Sequence, residues 1–221
     1  MTFQKNDFIE LEFTGKIKDT GEIFDSNIKE DLENTNSKQP AKPLVFPIGQ
    51  DMFLKGIDKF LIGKDKGEYE LELSPEESFG KRDPKSIQLM PLKIFIQHKI
   101  NPVPGVVFNF DGKLAKILSV SGGRVMVDFN NLIAGKTVIY KLKVLKKVED
   151  LNEKIKAMND FLFRKDFQFE LKENKLILQV EKQMEQFVQM FKEQFKEILN
   201  LDLETKTIEN EKSVNKTSKG N

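Results

Sequence analysis

The stretch Leu54–Gly80, LKGIDKFLIGKDKGEYELELSPEESFG, holds the elements that decide the reading of this chain. Phe53 and Leu54 lead into a short helix around Gly56–Phe60. Gly63-Lys64-Asp65-Lys66-Gly67 then turns the chain into a strand in which Tyr69, Leu71 and Leu73 alternate with Glu, before Ser74-Pro75-Glu76-Glu77-Ser78-Phe79-Gly80. Helix spacing giving way to a period of two within so few residues reads as a short helix, a turn and an alternating strand. Upstream, residues 7–18 alternate, with Ile9, Leu11 and Phe13 on one side and Phe8, Glu10 and Glu12 on the other. Asp19-Thr20-Gly21 turns that strand into Ile23-Phe24-Asp25, and Leu44–Ile48 forms a further strand. Asn27–Lys42 is polar and reads as a surface loop, with a helical turn near Ile28–Leu32.

Beyond Gly80, a short helix interrupted by Pro91 is expected over Ile87–Ile96, then a rigid turn at Asn101–Gly105. Three strands follow, Val106–Phe110, Leu114–Val120 and Arg124–Phe129, separated by Asp111-Gly112 and Ser121-Gly122-Gly123. A long strand is expected over Thr137–Val148, with Lys141, Lys143, Lys146 and Lys147 on its solvated face. Leu151, Ile155, Met158 and Leu162 then fall at helical spacing. Alternation around Glu173-Asn174-Lys175 gives a hairpin, and Met184, Phe187, Val188, Phe191, Phe195 and Ile198 form a stripe on a helix over Glu181–Leu199. From Thr205 onward the composition suggests disorder.

The spacing from Phe24-Asp25 through Pro43-Leu44-Val45-Phe46 and Phe53-Leu54 to Phe79-Gly80 resembles that of the FKBP-type peptidyl-prolyl isomerases across the first half of the chain. The strand meander lying before the last strand is similar to the SlyD-like and long archaeal members, whose flap carries an inserted domain. The resemblance implies an α+β fold: an FKBP-like antiparallel half-barrel around a short helix, with an inserted small β domain and a C-terminal α/β domain of helix, β-hairpin and helix. The expected divisions are 1–85 with 129–148 for the isomerase domain, 86–128 for the insert, 149–204 for the C-terminal domain and 205–221 for a disordered tail.

The same resemblance implies a groove with Asp25, Phe79, Phe24 and Tyr140 in catalytic places. Phe13, Phe46, Phe53, Leu54, Ile57, Leu132 and Ile133 would bind substrate, with the Leu54 N–H anchoring the peptide. Three positions depart from the family pattern. Ile57 stands where many relatives have a floor Trp, and Phe79 where a Tyr hydroxyl is usual. Asn130-Asn131-Leu132-Ile133-Ala134-Gly135 lacks a frequent His. Such a site accelerates X-Pro isomerisation in unfolded clients without covalent chemistry, the alternative being a non-enzymatic holdase with a degenerate groove. Macrolides are expected as ligands of the same groove.

Composition narrows the chemistry. There is no Cys and one His, so Cys-based nucleophiles, disulfides and Cys-zinc sites are excluded, and neither cofactor nor metal is expected. The 36 Lys+Arg and 35 Asp+Glu nearly cancel, which argues against a nucleic-acid partner. No run approaches the ~20 apolar residues of a membrane span, and the charged start lacks a signal core, so a cytoplasmic protein with no membrane partner is expected. A C-terminal unit of roughly 55 residues is marginal alone, which suggests a homodimer paired through it.

Overall fold

The computed structural model describes residues 2–35 and 37–208. In chain order it builds β1 (Phe8–Ile17), β2 (Ile23–Ser26), α1 (Lys29–Asn34), β3 (Leu44–Pro47), α2 (Lys55–Leu61) and β4 (Gly67–Leu73). Then come β5 (Ile87–Pro91), α3 (Leu92–Gln97), β6 (Val107–Phe110), β7 (Lys113–Ser121) and β8 (Arg124–Asp128). β9 (Val138–Val148), α4 (Leu151–Phe163), β10 (Phe169–Lys172), β11 (Lys175–Glu181), α5 (Glu185–Gln189), α6 (Lys192–Leu199) and β12 (Asp202–Ile208) complete it. Helices and largely antiparallel sheets make an α+β fold.

The first sheet runs β2-β1-β9-β4, with β3 also on β1. β1 pairs with β9 along its whole length, from Phe8 opposite Val148 to Ile17 opposite Val138. Its other edge is shared: β3 covers Phe8–Leu11 and β2 covers Thr14–Lys16. Asn27 closes the gap between them, its Oδ1 accepting the Phe13 N–H at 2.8 Å and its Nδ2 donating to the Leu11 carbonyl at 2.8 Å. The Asn27 side chain thus pairs a donor and an acceptor of β1 where the two short strands meet. On the outer face Lys143 lies opposite Glu68 and Lys141 opposite Glu70, an ion ladder on the solvated face expected for those lysines.

α2 turns Gly56, Ile57, Asp58 and Leu61 inward. A Cβ on Gly56 would stand 2.3 Å from Leu73 Cδ2, so only glycine lets the helix approach β4 this closely. Buried Asp58 accepts the Asp51 N–H at 2.7 Å and so ties down the turn that precedes the helix.

Residues 87–128 form a second sheet, β5-β8-β7-β6, inserted in the chain between β4 and β9. It has its own core, in which Ala115, Ile117, Val125 and Val127 pack around Phe95 of α3. The helix expected over Ile87–Ile96 is corrected here. Ile87–Pro91 is an edge strand, and α3 starts only after Pro91, which serves as its N-cap. Proline suits both places, since an edge strand can spare a donor and a helix start has none to lose.

The C-terminal residues form a third sheet, β10-β11-β12, in which β12 runs parallel to β11. Two expectations change. Thr205–Ile208 belong to β12 rather than to a disordered tail, and residues 209–221 of that expected tail lie outside the described residues. The single helix expected over Glu181–Leu199 is a short 3-10 turn followed by α5 and α6, broken near Met190-Phe191. Breaking it lets Phe187 and Phe191 both reach Phe163 of α4, at ring distances of 6.0 and 5.3 Å.

The C-terminal apolar residues do not wait for a second copy. Ile155, Met158, Phe163, Phe195 and Leu203 belong to the same continuous core as Phe3, Phe8, Ile9 and Tyr140. Lys42 pairs with Asp160 at 3.0 Å and Asn6 Nδ2 donates to the Glu197 carbonyl at 3.2 Å across the same junction. The premise that this unit is too small to be stable without dimerisation thus fails, because the first sheet supplies the missing surface.

Candidate functional site

Asp25 of β2 and Tyr140 of β9 both stand opposite Gly15 of β1. The Tyr140 ring crosses that bare backbone, and its hydroxyl donates to Asp25 Oδ2 at 3.1 Å. A Cβ on residue 15 would lie 2.8 Å from Tyr140 Cζ and 3.1 Å from Phe24 Cζ, so the bridge requires glycine in the strand. Burial pushes the Asp25 carboxyl above its usual value, opposed in part by the Tyr140 hydroxyl and the Ser26 backbone N–H. Burial first, then the neighbouring Asp25 charge, drives the Tyr140 phenol far above its ordinary value, so it remains a donor at any physiological pH.

Around this pair the aromatic residues singled out from sequence form one cluster. Phe24 meets Tyr140 edge to face at 5.9 Å and Phe79 at 5.4 Å. Phe53 touches Tyr140, Phe13 and Phe46 at 5.9, 5.0 and 5.6 Å. The edge-to-face pairs of Phe24 with Tyr140 and Phe79, and of Phe53 with Tyr140, suit the ring quadrupoles, while Phe53 meets Phe13 and Phe46 at a tilt. Phe79 is delivered by a 3-10 turn over Pro75–Glu77, whose start is closed by Ser74 and Glu77 in a reciprocal capping box. Its ring offers no hydroxyl.

A groove of about 790 Å³ opens beside Asp25. Phe24, Asp25, Phe79, Leu132 and Ile133 line one side; Val107, Lys113, Leu114 and Lys116 of the second sheet line the other. Phe13, Phe46, Ile57 and Tyr140 are 6% exposed or less, and form the wall behind the groove rather than its surface. Phe53 and Leu54 are half-buried and lie outside this lining, Leu54 at the N-cap of α2 with its carbonyl accepting the Asp58 N–H at 3.0 Å. Where the family pattern often has His, Asn131 Oδ1 accepts the Ile133 N–H at 2.9 Å, and this turn presents Leu132 and Ile133.

Sequence reasoning missed Gly15 and the far wall. The glycine sits in an otherwise alternating strand, which is itself a signal for close approach. Val107, Leu114 and Lys116 were legible as strand residues, but their facing the groove depends on how two sheets meet. Among the described residues no cluster of His, Cys, Asp or Glu could hold a metal, and no helix is long and apolar enough to cross a membrane.

The model of the "FKBP26, IF domain" family matches residues 88–132, which cover most of the second sheet and the turn that follows it. A short-type peptidyl-prolyl cis-trans isomerase of Methanocaldococcus jannaschii is 28% identical over 145 residues, 64% of this chain and 91% of that protein. The FKBP-type isomerase SlyD of Helicobacter pylori is 28% identical over 66% of this chain and 76% of its own length. An FKBP-type 16 kDa isomerase of Escherichia coli is 28% identical over 64% of this chain and 91% of its own. With Phe24, Asp25, Phe79, Leu132 and Ile133 lining one groove, the chain is similar to the FKBP-type peptidyl-prolyl cis-trans isomerases of the SlyD-like kind.

Proposed function

We propose that the protein catalyses cis/trans isomerisation of X-Pro bonds in unfolded polypeptides and assists their folding in the cytoplasm. The observation that carries this reading is the Asp25–Tyr140 pair set into an aromatic wall at the floor of an open groove. Prolyl rotation must cross a barrier of ~18–20 kcal/mol set by amide resonance. A site that strips water from the carbonyl and fits the twisted amide better than either planar form lowers that barrier by differential binding alone. No bond is made or broken and no proton need move.

In this reading the prolyl ring rests against Phe24 and Phe79, while Leu132 and Ile133 cover it. Asp25, held in one orientation by Tyr140, presents a partly desolvated carboxyl to the twisted amide. The Leu54 N–H anchors the chain, and Phe13, Phe46, Phe53 and Ile57 keep the wall rigid. Without a hydroxyl at Phe79, the site works with one oriented donor fewer than the family pattern provides. Macrolides would compete for the same groove.

The second sheet takes the holding role, with residues 86–128 as a separate client-binding domain. Leu89 pairs across the sheet with Met126 on the face that also carries Val107 and Leu114, and all four are exposed. Exposed apolar surface of this kind marks a partner site. A client can then lie on the second sheet while one of its prolines enters the groove. A pairing of two copies would draw on exposed apolar residues of the C-terminal unit such as Phe187 and Met190, at 43% and 76% exposed.

The test is turnover on a proline tetrapeptide together with acceleration of a proline-limited protein refolding reaction. Acceleration of both is expected. No acceleration of either at micromolar protein overturns the assignment, and holding of clients without turnover would favour a holdase.

A further inference from the structure

Among the described residues no strand pairing joins the second sheet to the first, and the chain passes between them through the connections on either side of residues 87–128. Those connections are clasped together by side chains. Asp128, the last residue of β8, is buried although it lies on the same face of its sheet as Lys116 and Val107. Its Oδ2 accepts a hydrogen bond from Arg82 Nη2, on the incoming connection. Its Oδ1 accepts the backbone N–H of Asn130 at 2.9 Å and Asn130 Nδ2 at 2.7 Å, on the outgoing one.

Asn130 in turn grips the incoming connection, its Oδ1 accepting the Asp83 N–H at 2.8 Å and its Nδ2 donating to the Asp83 carbonyl at 3.0 Å. Arg82 also lies over the outgoing connection: a Cβ on Gly135 would be 3.2 Å from Arg82 Cγ. Backbone bonds from Phe129 N to Ser86 O (2.9 Å) and from Gly135 N to Gly80 O (2.8 Å) close the two ends. A buried, fully bonded carboxylate with a guanidinium partner is a directional joint, unlike apolar packing, which tolerates sliding.

We propose that the Arg82–Asp128 pair is a positioning device that sets the second sheet at its height over the groove, and that it thereby selects for long polypeptide substrates over short peptides. The inference rests on the isomerase reading above. A tetrapeptide needs only the wall bearing Phe24, Asp25 and Phe79, so the far wall is irrelevant to it. An unfolded chain touches both walls, and its second contact counts as an intramolecular event only while the separation of the walls is held.

The experiment compares full-length wild type with Arg82→Met, Arg82→Lys and Asp128→Asn, on a proline tetrapeptide and on a proline-limited refolding protein. For Arg82→Met we expect tetrapeptide kcat/KM within about twofold and refolding kcat/KM lowered about tenfold, mainly through KM. Arg82→Lys keeps the charge and restores most of the loss. As the chain has no Cys, spin labels at Asp19→Cys and Gln97→Cys report the separation of the two sheets directly. The distance distribution should broaden in Arg82→Met and narrow again in Arg82→Lys. Asp128→Asn should follow Arg82→Met if the insert stays folded by circular dichroism.

Equal losses on both substrates, unchanged refolding activity, or a distribution as narrow as wild type in Arg82→Met would each overturn the proposal. Failure of the wild type to accelerate either substrate would instead overturn the isomerase reading itself.

Discussion

Gly15 and Tyr140 face each other across β1 and β9 so closely that the ring occupies the space a side chain at position 15 would need. The contact gives Tyr140 its route to Asp25, so a backbone position without chemistry of its own controls the polar centre of the site. Gly15→Ala must push the ring away. A loss of about 1–3 kcal/mol in stability by denaturant titration is expected, as for other overpacked positions. Tetrapeptide turnover should fall with it. A variant as stable and active as wild type would mean that the ring relaxes freely.

Tyr140→Phe keeps the ring and removes only the donor to Asp25. The expected cost is about 1 kcal/mol in stability, with a several-fold drop in kcat/KM, because the carboxyl loses its orientation. Asp25→Ala removes the carboxyl itself and should lower turnover about tenfold or more while the fold persists. Unchanged turnover in Asp25→Ala would take that residue out of the site.

The pH dependence of Asp25→Asn has a defined sign. Folding raises the Asp25 pKa through burial, so the folded state favours the protonated carboxyl. Its contribution to stability is therefore full below the ordinary carboxylate pKa, and is lost as pH rises through the raised folded value. Asparagine mimics the neutral form and does not titrate. The difference in melting temperature, variant minus wild type, should grow in the variant's favour from acid toward neutral pH. A difference independent of pH would contradict the burial assigned to this carboxyl.

The shared core makes the C-terminal unit a brace for the first sheet. Phe195 is fully buried and stacks on Phe163 with centroids 6.3 Å apart. Phe195→Ala should cost about 3–5 kcal/mol in chemical denaturation, with both the C-terminal unit and the first sheet unfolding in one transition. Truncation after Val148 should likewise lower the melting temperature of the remaining domains. Two separate transitions in the full chain would argue for independent units.

Leu89 and Met126 can be made polar together without touching the groove. Leu89→Ser with Met126→Ser should leave stability within about 0.5 kcal/mol, as for exposed positions generally. Refolding of a protein substrate should slow while tetrapeptide turnover is unchanged. Parallel losses on both substrates would mean that the second sheet merely supports the groove.

Local pattern was enough for the elements that carry strong alternation or glycine turns. β1, β4, β7, β8 and β9 follow from a period of two, and α2 from its position between Leu54 and Gly63. The aromatic residues of the candidate site were also visible as an ordered series of motifs, Phe24, Phe53 and Phe79, and the structure gathers them around Tyr140 in one cluster. β12 was not legible. Its sequence Asp202–Ile208 alternates threonine and charge, and buries Leu203 only because β11 lies beside it. Gln189 Nε2 donates to Thr205 Oγ1 at 2.6 Å, which gives that strand a polar partner no composition rule would anticipate.

Side-chain identity and short-range spacing were enough to say which residues are apolar, which turn the chain, and that no cysteine thiol is on hand. Long-range packing sets which of the aromatic residues face the groove and which stand behind it. It alone supplied the second wall at Val107 and Leu114, the glycine gap that joins Tyr140 to Asp25, and the merging of the C-terminal unit with the first core. The reason is that each of these is a relation between segments far apart in the chain, set by how sheets and helices pack. No local periodicity encodes it.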